Sequence, residues 1–233
     1  MDSETLLWDA PHVVPRRPAG ALSRARIVRT AIEVADSGGL EALSMCRVAN
    51  RLNVATMSLY RHVPGKAELV SLMLDVVIGR PPLFPNSIGW RAALTVWARA
   101  YRDVFVRHPW TLRLVPWNRT LGPNELTWVE TALRVISVIG LPMEDLLDML
   151  WFVNGYVRNA ASDLGGAPAA PSLEALRRSG RVNNYPVLAG VLARTALPET
   201  SAGEVDRFEF GLARALDSIE LYIRCQMETS TKG

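Results

Sequence analysis

Four polar side chains near residue 60 have the chemistry to bind phosphate groups. Tyr60, Arg61 and His62 follow one another, and Lys66 comes one helical turn later, after a Pro-Gly pair. Such side chains donate hydrogen bonds to phosphate oxygens, and a lysine that opens a helix adds its charge to the free amides of the first turn. The alternatives are that Arg61 is a solvated surface charge and that Tyr60 packs on the next helix. Taken together in this spacing, the four residues predict contact with the backbone of a nucleic acid.

Two short helices joined by a tight turn would position these residues. The first helix would begin at Ser44, whose hydroxyl can cap the free amides of the next turn. Asn53 lies where the chain must turn sharply, and asparagine tolerates a left-handed backbone better than most residues. The second helix would run over about 55–62 with Leu59 facing inward, and Pro64-Gly65 would end it. The pattern predicts a helix-turn-helix, whose second helix fits the major groove of DNA.

Positive charge is concentrated in the same part of the chain. The 233-residue protein has a formal net charge of only +3. Residues 16–66 contain nine arginines or lysines and three acids, a balance of +6, whereas residues 67–233 contain seventeen of each sign. A phosphate-binding face requires such a local excess. A purely structural interaction protein would leave it unexplained.

The sequence offers no pattern typical of an enzyme or a metal site. It has no paired carboxylates at useful spacing, no Ser/His/Asp or Cys/His arrangement and no glycine-rich phosphate loop. Cys46 and Cys225 are the only cysteines and the three histidines lack metal-ligand spacing, so we expect no metal and no cofactor. No apolar run approaches the roughly 20 residues that span a bilayer, and the acidic N-terminus is unlike a signal peptide. We therefore expect a non-enzymatic protein of the cytoplasm that has no membrane partner.

Helical patterns cover most of the chain after residue 21, and no stretch alternates as a strand would. Residues 1–21 lack a helical period and are expected to form a flexible arm, and the proline-rich residues 80–87 mark a domain boundary. We therefore predict an all-α fold. The predicted helices lie at about 24–38, 44–52, 55–62, 66–78, 88–107, 111–115, 123–140, 142–164, 172–179, 186–195 and 202–227.

Apolar spacing also predicts which side of each helix faces the core. Helices 142–164 and 202–227 carry the longest apolar stripes. For helices 66–78 and 123–140, the predicted inward residues are Leu69, Met73, Val76, Val77, Leu126, Val129, Leu133 and Ile136.

The helix-turn-helix resembles the DNA-binding domain of the TetR family of bacterial transcriptional repressors. The resemblance rests on Leu-Ser-Met-x-x-Val-Ala-Asn-Arg-Leu-Asn-Val at 43–54 and on Ser-Leu-Tyr-Arg-His-Val-Pro-Gly-Lys-Ala-Glu-Leu at 58–69. More loosely, residues 112–164 are similar to the ligand-binding domain of the tetracycline-repressor branch, through Pro116-Trp117 and Pro-Asn-Glu-Leu at 123–126. The resemblance implies an N-terminal three-helix DNA-binding domain at 22–79, and a C-terminal helical bundle for ligand binding and dimerisation at 80–233.

By this resemblance, the residues that open the second helix meet base edges in the major groove. These are Thr56, Met57 and Ser58. The alternative for Met57 is that its side chain packs in the core. Ser44 joins Lys66 as a candidate for phosphate contact. Position 46 is often arginine in this branch, where it reads guanine, but here it is cysteine. Arg47 is the candidate to replace that contact in part, although on a helix it points about 100° away.

The resemblance gives the second half of the chain a small-molecule site and a dimer interface. An apolar pocket with a few polar groups is expected between the helices. Most aromatic residues in this half must belong to the core. The alternative to a pocket position for Asn154 is that its amide lies on the surface or at the dimer interface. The two helices at 142–164 and 202–227 resemble elements that pair across a two-fold axis. The candidate ligand contacts are Trp97, Tyr101, Phe105, His108, Trp117, Trp128, Trp151, Asn154 and Arg158.

Together these features lead us to expect a ligand-responsive repressor. It would bind a palindromic operator in double-stranded DNA as a homodimer, and a small molecule would release it by shifting the helix at 66–78. The alternative is a transcriptional activator, or a ligand-independent regulator, of the same fold. The sequence does not separate these alternatives.

Overall fold

The computed structural model describes residues 7–8, 22–85, 87–114, 120–164, 178–195 and 207–230, and every regular element within them is helical. The all-α prediction is therefore confirmed. Residues 22–78 form four helices, α1 (Arg24–Gly38), α2 (Met45–Leu52), α3 (Thr56–Tyr60) and α4 (Lys66–Ile78), with a short 3₁₀ turn at Leu40–Ala42 between α1 and α2.

Local sequence signals set the boundaries of these helices. Ser23 and Ser44 cap α1 and α2, since each hydroxyl oxygen accepts a hydrogen bond from a backbone amide of the first turn. Asn53 ends α2 in the left-handed conformation, with φ 56° and ψ 48°. Gly39 follows α1 with φ 73°, a backbone angle that favours glycine. The predicted cap at Ser44 and the predicted turn at Asn53 are confirmed.

The four helices enclose one apolar core, in which α1 packs against both α2 and α4. Burial of each large aliphatic side chain contributes about 1.5–3 kcal/mol before conformational entropy is subtracted. Leu7 is also part of this core, at 3% exposure. The fully buried members include Ile27, Ala31, Val34, Val48, Ala49, Leu59, Val63, Leu69 and Met73.

The second domain is built around one long central helix. Its helices are α5 (Trp90–Arg107), α6 (Pro123–Ile136), α7 (Met143–Leu164), α8 (Pro186–Thr195) and α9 (Arg207–Ser230). Helices α5 and α9 pack along α7, and α6 packs against α4, α5 and α7. The apolar stripe predicted for α7 is buried in this core, as is most of the stripe predicted for α9. No helix among the described residues is long and apolar enough to cross a membrane.

The inward orientation predicted for two residues is wrong. Val76 is exposed on α4, and Leu126 is exposed on α6, where Glu125 is buried instead. The Glu125 carboxylate accepts a hydrogen bond from the backbone amide of Gly122 at 3.2 Å, which turns its side chain back over the start of α6. The buried face of α6 therefore lies one residue earlier at this end than apolar spacing predicts, and continues through Trp128.

Some predicted boundaries also differ. The predicted short helix at 111–115 is a 3₁₀ segment, Pro109–Leu114, and the helix predicted to reach residue 140 ends at Ile136, followed by a 3₁₀ turn at Ser137–Ile139. The predicted helix at 172–179 lies almost wholly outside the described residues, as does most of the predicted arm.

Candidate DNA-binding and effector sites

Helix α3 presents its first residues outward because one side chain anchors it. Leu59 is fully buried in the core beneath α3. Met57 is 73% exposed, and Tyr60 and Arg61 are exposed beside it. A methionine exposed to this extent is not a core residue, so that alternative for Met57 is excluded. Thr56 and Ser58, on either side of it in sequence, are half-buried.

The remaining candidates for DNA contact flank α3. Ser44 and Arg47 are exposed at the start of α2, and Lys66 is exposed at the start of α4. The Lys66 ammonium donates a hydrogen bond to the backbone carbonyl of Leu40 at 3.4 Å. His62, just after α3, is half-buried. All nine candidates thus lie on α2, α3, the turn after α3 or the first residue of α4.

One of these side chains already contacts another. The Arg61 guanidinium donates a hydrogen bond to the Ser58 hydroxyl oxygen at 3.4 Å, a pairing between residues one helical turn apart. The hydroxyl hydrogen of Ser58 remains available to an acceptor on a base, and the other guanidinium N–H groups remain available to phosphate. The pair can therefore serve both kinds of DNA contact.

Two of the three acids in residues 16–66 are held by residues of the second domain. Asp36 lies 2.8 Å from Nδ1 of His108 and accepts a hydrogen bond from Nε1 of Trp110 at 2.7 Å. Glu41 pairs with Arg113. These two negative charges therefore lie at the junction between the domains, each beside a partner from the second domain.

Four of the nine candidate ligand contacts form one aromatic cluster. Trp97, Tyr101 and Phe105 follow one face of α5, and Trp128 reaches them from α6. Ring centroids lie 5.0 Å apart for Trp97 and Tyr101, 4.7 Å for Tyr101 and Phe105, and 5.0 Å for Tyr101 and Trp128. All four residues are buried, so the cluster is part of the core in this structure.

The aromatic cluster is joined directly to the end of α4. The Trp128 indole donates a hydrogen bond to the backbone carbonyl of Gly79, the residue after α4, at 2.9 Å. The Trp97 indole in turn donates to the backbone carbonyl of Trp128 at 3.1 Å. The cluster is therefore hydrogen-bonded to the end of the helix that links the two domains.

Three further candidates lie together on α7. Trp151, Asn154 and Arg158 are half-buried and are spaced three and four residues apart, so they share one side of the helix. The side-chain oxygen of Asn154 is buried and has no hydrogen-bond partner among the residues that the structure describes. A buried acceptor without a partner costs about 1–3 kcal/mol, which a bound donor would recover.

The last two candidates lie elsewhere. His108 contacts Asp36 at the domain junction and is not part of the aromatic cluster. Trp117 lies outside the described residues. Sequence reasoning missed Asp36, Trp110 and Arg113, which join the two domains. No local pattern indicates that role, since the pairs are 72 and 74 residues apart in the chain.

Comparison with known proteins agrees with both halves of the structure. Residues 27–73 match the model of bacterial regulatory proteins of the tetR family, and residues 82–223 match that of the tetracyclin repressor-like C-terminal domain. The HTH-type transcriptional repressor DrrR1 of Streptomyces coeruleorubidus is 39% identical, over 94% of this chain and 84% of that protein. An HTH-type transcriptional regulator of Saccharopolyspora erythraea is 32% identical, over 72% of this chain and 74% of that protein.

Solved structures give the same result. The Streptomyces coelicolor TetR family protein ActR in complex with actinorhodin superimposes with a TM-score of 0.69 at 27% identity, covering 87% of this chain and 99% of ActR. A possible TetR family regulator from the same organism gives a TM-score of 0.71 at 25% identity, covering 86% of this chain and all of that chain. Relatives with the same two domains are transcriptional regulators, and this chain belongs to the TetR family of bacterial helix-turn-helix regulators.

Proposed function

We propose that this protein represses transcription by binding a palindromic operator as a homodimer, and that a small molecule bound in the second domain releases it. The observation that carries the proposal is the exposed side of α3. Leu59 on the opposite side of this helix is buried in the core, and α3 lies in the part of the chain that has an excess of basic residues. A relative that is 39% identical is named as a repressor, which supports the direction of the effect. Such a protein works in the bacterial cytoplasm.

In this proposal the nine candidate residues divide between two kinds of DNA contact. Thr56, Met57 and Ser58 read base edges in the major groove, where hydroxyl groups bond to bases and a methionine packs on a thymine methyl. The phosphate contacts fix the position of the domain but carry no sequence information. They come from Ser44, Arg47, Tyr60, Arg61, His62 and Lys66.

A homodimer is supported by an apolar surface on α7 and α9. Phe152 on α7 is 53% exposed, and Phe210 and Leu221, which share one face of α9, are exposed to a similar extent. Between the two helices lies a groove of about 310 Å³. Large apolar side chains that share one surface mark a protein interface. Two protomers paired through this surface would present two α3 helices to the DNA. These helices would bind two half-sites that lie about one turn of DNA, roughly 34 Å, apart.

Release by an effector is supported by the aromatic cluster and by α7. An organic molecule that opens a pocket beside Trp128 would displace the residue that holds the end of α4. On α7, the side-chain oxygen of Asn154 offers an effector a buried hydrogen-bond acceptor that has no partner among the described residues. Binding of actinorhodin by ActR supports an organic effector here. Release requires the effector to prefer one orientation of the DNA-binding domains over the other, typically by about 1–3 kcal/mol.

Fluorescence anisotropy on DNA from the protein's own upstream region, over a salt series, tests the proposal. We expect saturable binding of two protomers per palindrome, tighter than binding to scrambled DNA and weaker as salt rises. Equal and weak binding to both DNAs would contradict operator recognition in the absence of an effector. A ligand that raises the thermal stability of the protein but leaves operator affinity unchanged would contradict release.

A transcriptional activator or a ligand-independent regulator is the alternative. The same DNA-binding surface serves either outcome, so the distinction lies in the promoter response. A reporter fused to the bound promoter should rise when the chromosomal copy of the protein is deleted. A fall on deletion would identify an activator.

A further inference from the structure

Trp110 of the second domain is buried in the core of the first. It lies in the 3₁₀ segment Pro109–Leu114, directly after α5, yet it is only 4% exposed and belongs to the apolar cluster formed by α1 to α4. Leu114, at the end of the same segment, packs against the cores of both domains. The two domains are therefore joined by packed side chains as well as by the chain that runs from α4 to α5.

A single carboxylate oxygen fixes this segment to α1. Oδ1 of Asp36, in the last turn of α1, accepts the 2.7 Å hydrogen bond from the Trp110 indole and lies 2.8 Å from Nδ1 of His108. The His108 and Trp110 rings also pack edge to face, with centroids 6.2 Å apart. We name Asp36, His108 and Trp110 the interdomain clasp. Within the clasp, the Asp36 side chain is half-exposed and Trp110 is buried.

The clasp acts on the helix that supports the whole DNA-binding domain. Because α2 and α4 both pack on α1, a domain held at α1 cannot turn about the end of α4 without withdrawing Trp110 from its core. One connection at α4 alone would leave that rotation free, whereas a second connection, made by the clasp beside the Glu41–Arg113 ion pair, opposes it. The orientation of α3 relative to the second domain then depends on the clasp.

We propose that the interdomain clasp sets the orientation of each DNA-binding domain, with Asp36 and Trp110 as positioning residues for operator spacing. This inference rests on the proposed function, because orientation matters when two domains of a dimer must fit two half-sites at once. Apparent affinity falls in proportion to the fraction of molecules in the competent orientation. If breaking the clasp leaves about a third of the molecules in the orientation that fits the operator, the apparent operator affinity falls about threefold.

The native cysteines allow the orientation to be measured in the full-length protein. Cys46 on α2 and Cys225 on α9 are both exposed, so Cys225→Ser leaves one accessible thiol in each DNA-binding domain. A nitroxide attached to Cys46 in the dimer reports the distance between the two domains by pulsed electron paramagnetic resonance. The width of the distance distribution reports how freely they turn.

Two variants break the clasp and one matched variant leaves it intact. Asp36→Ala removes the shared acceptor at a half-exposed helical position, where alanine favours the helix. Trp110→Phe keeps an aromatic ring but removes the indole donor. Trp90→Phe makes the same change in a residue that packs against the core of the second domain.

We expect wider Cys46–Cys46 distributions and about threefold weaker operator binding for Asp36→Ala and Trp110→Phe, and neither change for Trp90→Phe. Unchanged distributions in both clasp variants would overturn the inference. If the Cys225→Ser protein gives no dipolar signal, the proposed homodimer is wrong. The Cys46–Cys225 distance within the two-cysteine chain then decides, since its broadening in the clasp variants supports the clasp and an unchanged width overturns it.

Discussion

Asp75, in the last turn of α4, caps the first turn of α6 through Asn124. Its carboxylate accepts a hydrogen bond from the backbone amide of Asn124 at 2.9 Å, and the Asn124 side-chain amide donates to the Asp75 backbone carbonyl at 2.9 Å and to its carboxylate at 3.1 Å. Amides in the first turn of a helix lack partners within the helix, and a carboxylate there also interacts favourably with the helix dipole. The helix that links the domains is thus tied to the helix that carries Trp128.

This contact requires a glycine at residue 122. A Cβ atom there would collide with the Asp75 carboxylate, whereas one at Gly89, which precedes α5, would have nothing within 4 Å. Both glycines are N-cap residues with extended backbone angles, so replacing either with alanine has about the same cost at the cap. We expect Gly122→Ala to lower the free energy of unfolding by about 1–3 kcal/mol more than Gly89→Ala. Urea denaturation measures both, and equal values would show that Asp75 moves aside at no cost.

The titration of Asp75 gives stability a pH dependence of known sign. Burial raises the pKa of its carboxyl above the ordinary value of 3.8, and hydrogen bonds from the backbone amides of Asn124 and Glu125 offset only part of the rise. A raised pKa in the folded state means that Asp75 contributes most to stability below pH 3.8, and that the contribution is lost as the pH rises through the folded value. We therefore expect the free energy of unfolding of the wild type, minus that of Asp75→Asn, to fall as the pH rises above 3.8.

Asp217 provides a comparison of opposite sign. Hydrogen bonds from Arg214 and Arg91 hold the pKa of Asp217 below its ordinary value. Its contribution to stability is therefore present above pH 3.8 and lost as the pH falls, so the difference between wild type and Asp217→Asn should rise with pH. Urea denaturation at a series of pH values measures both differences. If the Asp75 difference also rose with pH, its hydrogen bonds would outweigh its burial.

Local signals allowed much of the fold to be predicted from the sequence. A serine hydroxyl reaches the amides of its own helix, and Asn53 sets its own backbone angles, so these features depend on nearby residues alone. The rotation of α6 depends on Asp75 and Glu125 instead, which is why Leu126 is exposed against expectation. Trp110 lies at a junction between segments more than 70 residues apart, and no periodicity within either segment indicates that contact.

Lys66 should contribute to DNA affinity without contributing to sequence preference. Its exposed ammonium lies at the first residue of α4, where the free amides of the helix start add to its charge. We expect Lys66→Ala to weaken binding to operator and scrambled DNA alike, and to reduce the slope of log affinity against log salt by about one. Arg134→Ala removes the same charge from an exposed position on α6 and should change neither quantity. An unchanged salt slope for Lys66→Ala would exclude a phosphate contact.

Ser58 should instead contribute to sequence preference. Its hydroxyl lies on α3 within hydrogen-bonding distance of Arg61, so Ser58→Ala removes a base-reading group and also releases the guanidinium. We expect the binding free energy that separates the preferred base pair from the others at one operator position to change by about 1–3 kcal/mol, which alters the order of preference among operator variants. The average affinity should change less. Competition binding on a set of half-site variants measures this. The matched control is Ser71→Ala on α4, because the Ser71 hydroxyl donates a hydrogen bond to the backbone carbonyl of Ala67 in its own helix. An unaltered order of preference for Ser58→Ala would remove Ser58 from the base contacts.

The exposed surface of α7 and α9 can be tested as the dimer interface through Phe152. In the single chain its ring is 53% exposed beside a groove that Asp145 and Asp148 also line, so Phe152→Glu should leave each protomer folded. In a dimer the new carboxylate would be buried near these acids, at a cost that dissociation avoids. Because one domain alone contacts only one half-site, operator binding should fall together with the sedimentation coefficient. Leu83→Glu, at a residue that is 97% exposed between the two domains, should leave both unchanged. A stable Phe152→Glu dimer that still binds the operator would place the interface on another surface.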